Sequence, residues 1–559
     1  MKINTYQDIN LSEGNYPKHS SQRFENLIST PPILELNAED FSNLLTDLQG
    51  NIIRHHNKNF SRYYFIHFKE NKGNIEKALN WIRHIAESIT TAKSQLRATD
   101  QPDDEKNKAP VLGFYLSWKG YERLGLEHLA PPEGNNGAFE KGMAQRIAFD
   151  SNIPDDRLHP KSKVDWETKH LDIHAMLMIA SDDPDFSDVT FSQHFRGLDD
   201  AIQQISEQGW GSTTMQNGLM KRAVFGKGEE ATTSAVEWFG FRDGISQPFF
   251  FPDKQTVGHF SEDDLSTLRI VLTKDKGGIH WYSAGSFLAF IKLEQDVQVF
   301  NTNVEKVTSV ISEKDKQLAA AYIMGRFKDG TPVTLSPRPL GNAGKAVQSD
   351  FSYSKNYFSD GEFYASDKTG TRCPFASHTR KANPRDGQDT RFLVRRGVLY
   401  DDRKSKFDKS DTQFNEAETP AKDVGMLFLS FQASLEQQFE YILKNWLHSV
   451  NTGKQATGVD LATGIGREYD LSRWYIPRTW GTADENDKAL ITTEEIDPCV
   501  RFKGGEYFFA PSISFLKKAK DNSLILNLFK RKPEPEERGA GEEIVVSGRY
   551  KMPVIIRKK

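Results

Sequence analysis

The feature that most constrains this chain is a strand–helix order that occurs twice. In the first half, RYYFIHF at 62–68 is rich in β-branched and aromatic residues and predicts a strand. Residues 74–90 then place Ile75, Ala78, Leu79, Ile82, Ile85, Ala86 and Ile89 on one helical face. Strands are predicted at 111–117 and 171–180, with helices at 119–125 and 198–206. In the second half, strands are predicted at 286–293 and 425–431 and helices at 313–325 and 434–448. The last helix offers Leu435, Phe439, Ile442, Leu443 and Trp446 as its core face. The order points to a duplicated α+β architecture, although no residue-level self-similarity accompanies it. The polar stretch 207–236 reads as a linker between the halves.

Several function classes lose support. The chain has 73 basic and 77 acidic residues, a balance that gives no field predicting a nucleic-acid or anionic-membrane partner. No run reaches the 18 apolar residues needed to span a membrane, and the first 20 residues lack an apolar leader core or twin arginine, so a cytoplasmic location is expected. Two cysteines, Cys373 and Cys499, cannot build a disulfide framework, a four-thiolate zinc site or an iron–sulfur cluster. The phosphate-loop, nucleophile-elbow, zinc-protease and dinucleotide-binding motifs are absent.

Three segments carry chemistry. In WFGFRDGISQPFF at 238–250, Gly240 and Gly244 flank Arg242 and Asp243 inside an aromatic wall. An acid in apolar surroundings is costly unless it is paired or in use. On motif chemistry alone, a turn in which Asp243 caps local amides is the better explanation. CPFASHTRKANPRD at 373–386 holds His378 among Arg380, Lys381, Asn383 and Arg385. A lone imidazole is more often structural than a metal ligand, but such cations suit an anionic ligand. In RFLVRRGVLYDDR at 391–403, a strand enters a turn at Gly397, so Arg395 points opposite to Val394.

In this order the three segments resemble the dye-decolourising peroxidase family. GFRDG is similar to its G-x-x-D-G motif, SHTRKANPR to the stretch holding its proximal histidine, and RRGVLY to the stretch holding its distal arginine. LTDLQGNIIRHH at 45–56, GMLFLSFQASLEQQFEYI at 425–442 and FFAPSISF at 508–515 extend the resemblance over roughly 35–520. The chain departs from the pattern at LYDD, where relatives often have Pro-x-Gly, and in a further stretch beyond Phe515 whose EEIVVSGRYKMPVII alternates like an added strand.

The resemblance implies an α+β fold of two ferredoxin-like domains with antiparallel sheets and flanking helices, the haem lying in the C-terminal one. The corresponding division is a polar N-terminal tail over 1–35, a first domain over 36–220, a haem-binding domain over 221–520 and an extension over 521–559. It implies one non-covalent haem b per chain with His378 as iron ligand, and Asp243 as distal acid–base. Arg395 then stabilises O–O cleavage, Arg396 being one residue away. Arg380 and Arg385 are expected to serve the haem propionates, and Met426 and Phe428 the distal haem face, plain core packing being the alternative for the latter two. A carboxylate is expected behind His378, with Glu436 as candidate. The implied partners are hydrogen peroxide and an organic electron donor such as a dye or phenol, and relatives often form homo-oligomers. Trp238, Trp474, Trp480 and Tyr475 are candidates by type for relaying electrons to the surface. Two other readings remain: a haem-binding protein for storage, delivery or iron release, and a non-haem protein acting through assembly.

Overall fold

The computed structural model describes residues 18–29, 39–99, 109–132, 137–148, 166–191, 194–226, 228, 231–248, 250, 268–341, 351–359, 362–385, 391–452, 457–464 and 472–524. Eight strands form the frame: β1 (Phe60–Phe68), β2 (Val111–Leu116), β3 (Ala175–Ser181), β4 (Gly211–Leu219), β5 (Ala284–Gln295), β6 (Val398–Asp401), β7 (Val424–Gln432) and β8 (Val500–Ala510). The first four pair antiparallel in the order β4-β1-β3-β2, and the last four in the order β6-β7-β5-β8. Each is the ferredoxin-like order, with the first and third strands central. The two sheets meet edge to edge at Leu219 with Leu399 and at Leu116 with Phe509, which closes them into one barrel. Closure removes the unpaired edges each sheet would otherwise expose.

Alternation along the strands sorts residues onto two faces. On β7, Leu427, Leu429 and Phe431 are fully buried inside the barrel with Phe290, Met176 and Phe508. The alternate residues Met426 and Phe428 face outward, opposite Leu293 and Ile291 of β5. Outside the first sheet, the helix Lys72–Ile85 packs Ile75, Leu79 and Ile82 onto the outer face of β1–β3. Outside the second sheet lies the 434–448 segment.

That segment departs from the expected α-helix. Leu435–Glu440 and Ile442–Leu447 are wound as π-helix, and the His448 amide closes the last turn on the Leu443 carbonyl, five residues back. The wider winding is uncommon and concentrates at functional sites. Here it carries Phe439, Leu443 and Leu447 over the outer face of β5 and β7.

Two further expectations change. The stretch 207–236 is no linker: it contains β4 and a hairpin of Lys221–Phe225 with Thr232–Val236. Within the tail expected over 1–35, Lys18–Ser29 is a helix that buries Phe24, Leu27 and Ile28. The proposed strand in EEIVVSGRYKMPVII falls outside the described residues. Among the described residues no helix is long and apolar enough to cross a membrane.

Candidate active site

Between the outer face of the second sheet and the π-helix lies a cavity of about 1360 Å³, counting the part open to solvent. A second lobe of about 1050 Å³ adjoins it, and His378, Arg326, Arg395 and Phe428 line both. Ile291, Leu293, Met426, Phe428, Val500 and Phe502 supply the apolar wall from the sheet. They do so because they are the outward alternates of β5, β7 and β8.

Asp243 reaches the cavity on a turn that follows Thr232–Val236. Gly240 and Gly244 have φ of 90° and 78°, conformations that favour glycine. The Asp243 amide donates to the Ala235 carbonyl at 3.0 Å, and its Oδ1 accepts from the Gly244 amide at 2.6 Å. The side chain lines the cavity.

Arg395 ends a two-residue strand, Val394–Arg395, paired to Phe431 and Ser430 of β7. Its amide donates to Oε1 of Gln247 at 3.1 Å and its Nη2 to the Ile245 carbonyl at 2.5 Å. The arginine is thereby tied to the loop just beyond Asp243. Arg396 points the other way, spending its guanidinium on the carbonyls of Asn51, Ile52 and Arg395.

His378 opens the short helix His378–Ala382. Its Nδ1 lies 2.9 Å from Oδ2 of Asp460, which is fully buried. Burial works against charge on both groups, but each supplies the other's countercharge and hydrogen bond. His378 therefore sits above the ordinary imidazole range and Asp460 below the ordinary carboxylate range. With Nδ1 engaged, Nε2 is left for the cavity. Glu436, the carboxylate expected behind this ring, instead accepts from the Ala138 amide at 3.1 Å.

The cations divide. Arg385 lines the second lobe, donates to Ser246 Oγ at 2.8 Å and stacks 3.9 Å above the Phe351 ring. Arg326, which the sequence did not single out, lines both lobes and donates to the same hydroxyl at 3.2 Å. Burial first, then the charge of Arg385, push the Arg326 guanidinium down to about 9. Arg380, expected beside Arg385 at the ligand, is turned away: it binds Oδ2 of Asp367 and the carbonyls of Cys373 and Asp367.

Two more polar residues line the cavity beside Asp243. Glu237 is buried, and its carboxylate accepts from the amides of Phe239 and Phe241 and from Nε2 of Gln295. Burial pushes Glu237 up to about 7 against those hydrogen bonds, and the charge of Asp243 adds to the rise. Neither Glu237 nor Asp460 had a distinctive signal, since each is one acid between apolar residues. Of the aromatic relay candidates, Trp238 and Trp474 are buried with their indole N–H on the carbonyls of Tyr400 and Val459. Trp480 is half-buried on the Val333 carbonyl, and Tyr475 is exposed.

The residues present fit a haem. An imidazole with one nitrogen braced by a carboxylate offers the other to iron. The walls are mostly apolar, and the buried Arg326 and part-buried Arg385 meet at one hydroxyl, a crowding of cations that an anionic group would relieve.

The chain is similar to known proteins over most of its length. The model of the "DyP dimeric alpha+beta barrel domain" matches residues 47–209, and that of the "Dyp-type peroxidase, C-terminal" matches 237–457. The multifunctional dye peroxidase DyP2 of an Amycolatopsis species is 28% identical over 501 residues, covering 85% of this chain and 95% of that one. A dye-decolorizing peroxidase of Auricularia auricula-judae is 25% identical over 512 residues, covering 88% of this chain and 90% of its own. The solved structure of an Anabaena DyP-type peroxidase superposes with a TM-score of 0.67 at 29% identity, covering 89% of this chain and 99% of that one. The chain belongs to the dye-decolourising peroxidase family, and it is an enzyme of that type.

Proposed function

We propose that the cavity holds one non-covalent haem b per chain, with His378 on the iron, and that the enzyme uses hydrogen peroxide to oxidise organic donors such as dyes and phenols. The observation that carries this reading is that His378, Asp243 and Arg395, from three separate segments, line one mostly apolar cavity. Arg326 and Arg385 are positioned to hold the propionates, and Met426 and Phe428 to pack against the porphyrin. When bound, the haem supplies the redox chemistry, drawing oxidising equivalents from peroxide and passing them to a donor one electron at a time.

The protein's share is proton and charge control. As a carboxylate, Asp243 can accept a proton from one peroxide oxygen and deliver it to the other, so that water can leave. The guanidinium of Arg395 offsets negative charge that gathers on the departing oxygen. The Nδ1–Asp460 bond fixes the tautomer and plane of His378. Arg395→Leu is expected to slow peroxide turnover by about 10²–10³-fold and Asp243→Asn by about 10²–10⁴-fold, with haem content unchanged. Steady-state peroxide assays on haem-matched samples decide. Unchanged turnover in both variants would assign the cavity to haem storage or delivery.

A further inference from the structure

Glu237 is a buried acid that the chemistry above leaves without a task. It occupies the first position of the turn that carries Asp243. Its backbone amide donates to the Phe241 carbonyl, and its carbonyl accepts from the Gly240 amide. Its side chain closes the same turn from within: Oε1 accepts from the Phe241 amide and Oε2 from the Phe239 amide, both at 2.9 Å. One residue therefore satisfies the inward-facing donors of a segment that otherwise consists of aromatic side chains and a glycine. Two residues beyond this clamp the chain reaches Asp243. The clamp has its own anchor, since Gln295, at the end of β5, donates Nε2 to Oε2 of Glu237. Oε1 of Gln295 is buried without a hydrogen bond to any described residue, so Glu237 alone fixes the orientation of that amide. Both side chains are in the cavity wall beside Asp243.

We propose that Glu237 is a positioning residue for Asp243: its carboxylate, held by Gln295, clamps the 237–241 turn and thereby aims the acid–base group into the cavity. This rests on the assignment of Asp243 given above. A plain structural role would also cost stability, so the proposal turns on coupling. Glu237 acts through Asp243 and has no effect of its own on the reaction with peroxide.

The test is a double-mutant cycle on the haem-loaded enzyme. Glu237→Gln leaves either the Phe239 or the Phe241 amide facing a donor in place of its acceptor. It is expected to slow the reaction with peroxide about 100-fold, the order that a misplacement of about 1 Å costs. Haem affinity and the ferric absorbance spectrum are expected to remain those of the wild type. Hydrogen exchange at the Phe239 and Phe241 amides is expected to rise by at least about tenfold. In an Asp243→Asn background, Glu237→Gln is expected to cost no more than about twofold. Gln295→Met, which leaves the turn's own bonds in place, provides a milder loss in the same direction if Glu237→Gln does not fold. A loss equally large with and without Asp243, or no loss in any variant, overturns the proposal. Should Asp243→Asn itself leave the rate unchanged, the assignment of Asp243 is the part that has failed, and the proposal falls with it.

Discussion

Asp460 holds His378 from a position that is itself fixed on every side. While Oδ2 faces the ring at 2.9 Å, Oδ1 accepts from the amides of Ala462 and Thr463 at 2.8 and 2.6 Å. The Asp460 amide donates to the Leu447 carbonyl of the π-helix, and Leu461 donates to Ala376, two residues before the histidine. A carboxylate with so little freedom orients the imidazole and raises its donor strength.

Asp460→Asn is therefore expected to weaken haem binding by about 10–100-fold and to move the iron's reduction potential upward, because a negative charge behind the ligand is lost. Haem titration and a redox titration read the two effects. Glu436→Gln, which alters a carboxylate on the Ala138 amide rather than one behind His378, is expected to leave the potential unchanged.

Two of the four arginines that line the second lobe make a separate prediction. Arg326→Ala and Arg385→Ala are each expected to reduce haem affinity by about tenfold or more, the value of a charge-assisted hydrogen bond. Arg380→Ala is expected to lower thermal stability instead, since its guanidinium is committed to Asp367 and Cys373.

Alternate residues of β7 should fail in different ways. Leu429→Ala opens space inside the barrel against Phe290 and is expected to cost about 2–5 kcal/mol with haem affinity retained. Phe428→Ala enlarges the cavity wall and is expected to reduce haem affinity at a smaller stability cost. Denaturant unfolding and haem titration on both variants separate the faces.

The fold also has a pH signature. Burial pushes His170 down to about 4 and His174 down to about 3. The unfolded chain protonates these rings near the ordinary value of about 6.5, so it binds more protons than the fold as pH drops below that point. Their stabilisation is complete above pH 6.5 and is lost as pH falls toward about 4 for His170 and about 3 for His174. Glu237, raised to about 7, works in the opposite sense between about 4.5 and 7. The clean readout is His170→Phe, which keeps the packing on Phe65 and Phe290. Thermal melts from pH 7.5 to 4.5 should show a shallower acid loss in this variant than in the wild type.

Much of the frame was legible from periodicity. The strands at β1, β2, β3, β5 and β7 are apolar enough to stand out, and the Lys72–Ile85 helix carries a clean apolar stripe. β4 was hidden because GSTTMQNGL is polar; its place comes from backbone pairing to β1 across its whole length. The π-helix was hidden because an apolar stripe at 435–446 fits an α-helix equally well, and only the packing over the cavity selects the wider turn. At the site, resemblance singled out Asp243, His378 and Arg395. Asp460, Arg326 and Glu237 come into view only once distant segments are brought together. Arg380 was expected at the haem propionates and Glu436 behind His378, but Asp367 and Cys373 engage the first and the Ala138 amide the second.

The most direct test is the visible spectrum of the haem-reconstituted protein, recorded before and after one equivalent of hydrogen peroxide, for the wild type and for His378→Ala. The wild type is expected to show a sharp Soret band that changes rapidly with peroxide and returns when a reducing dye is added. His378→Ala is expected to lose that band or to regain it with added imidazole. A wild-type protein that takes up no haem, or a His378→Ala protein with the same spectrum and the same peroxide response, would contradict the placement of iron at His378.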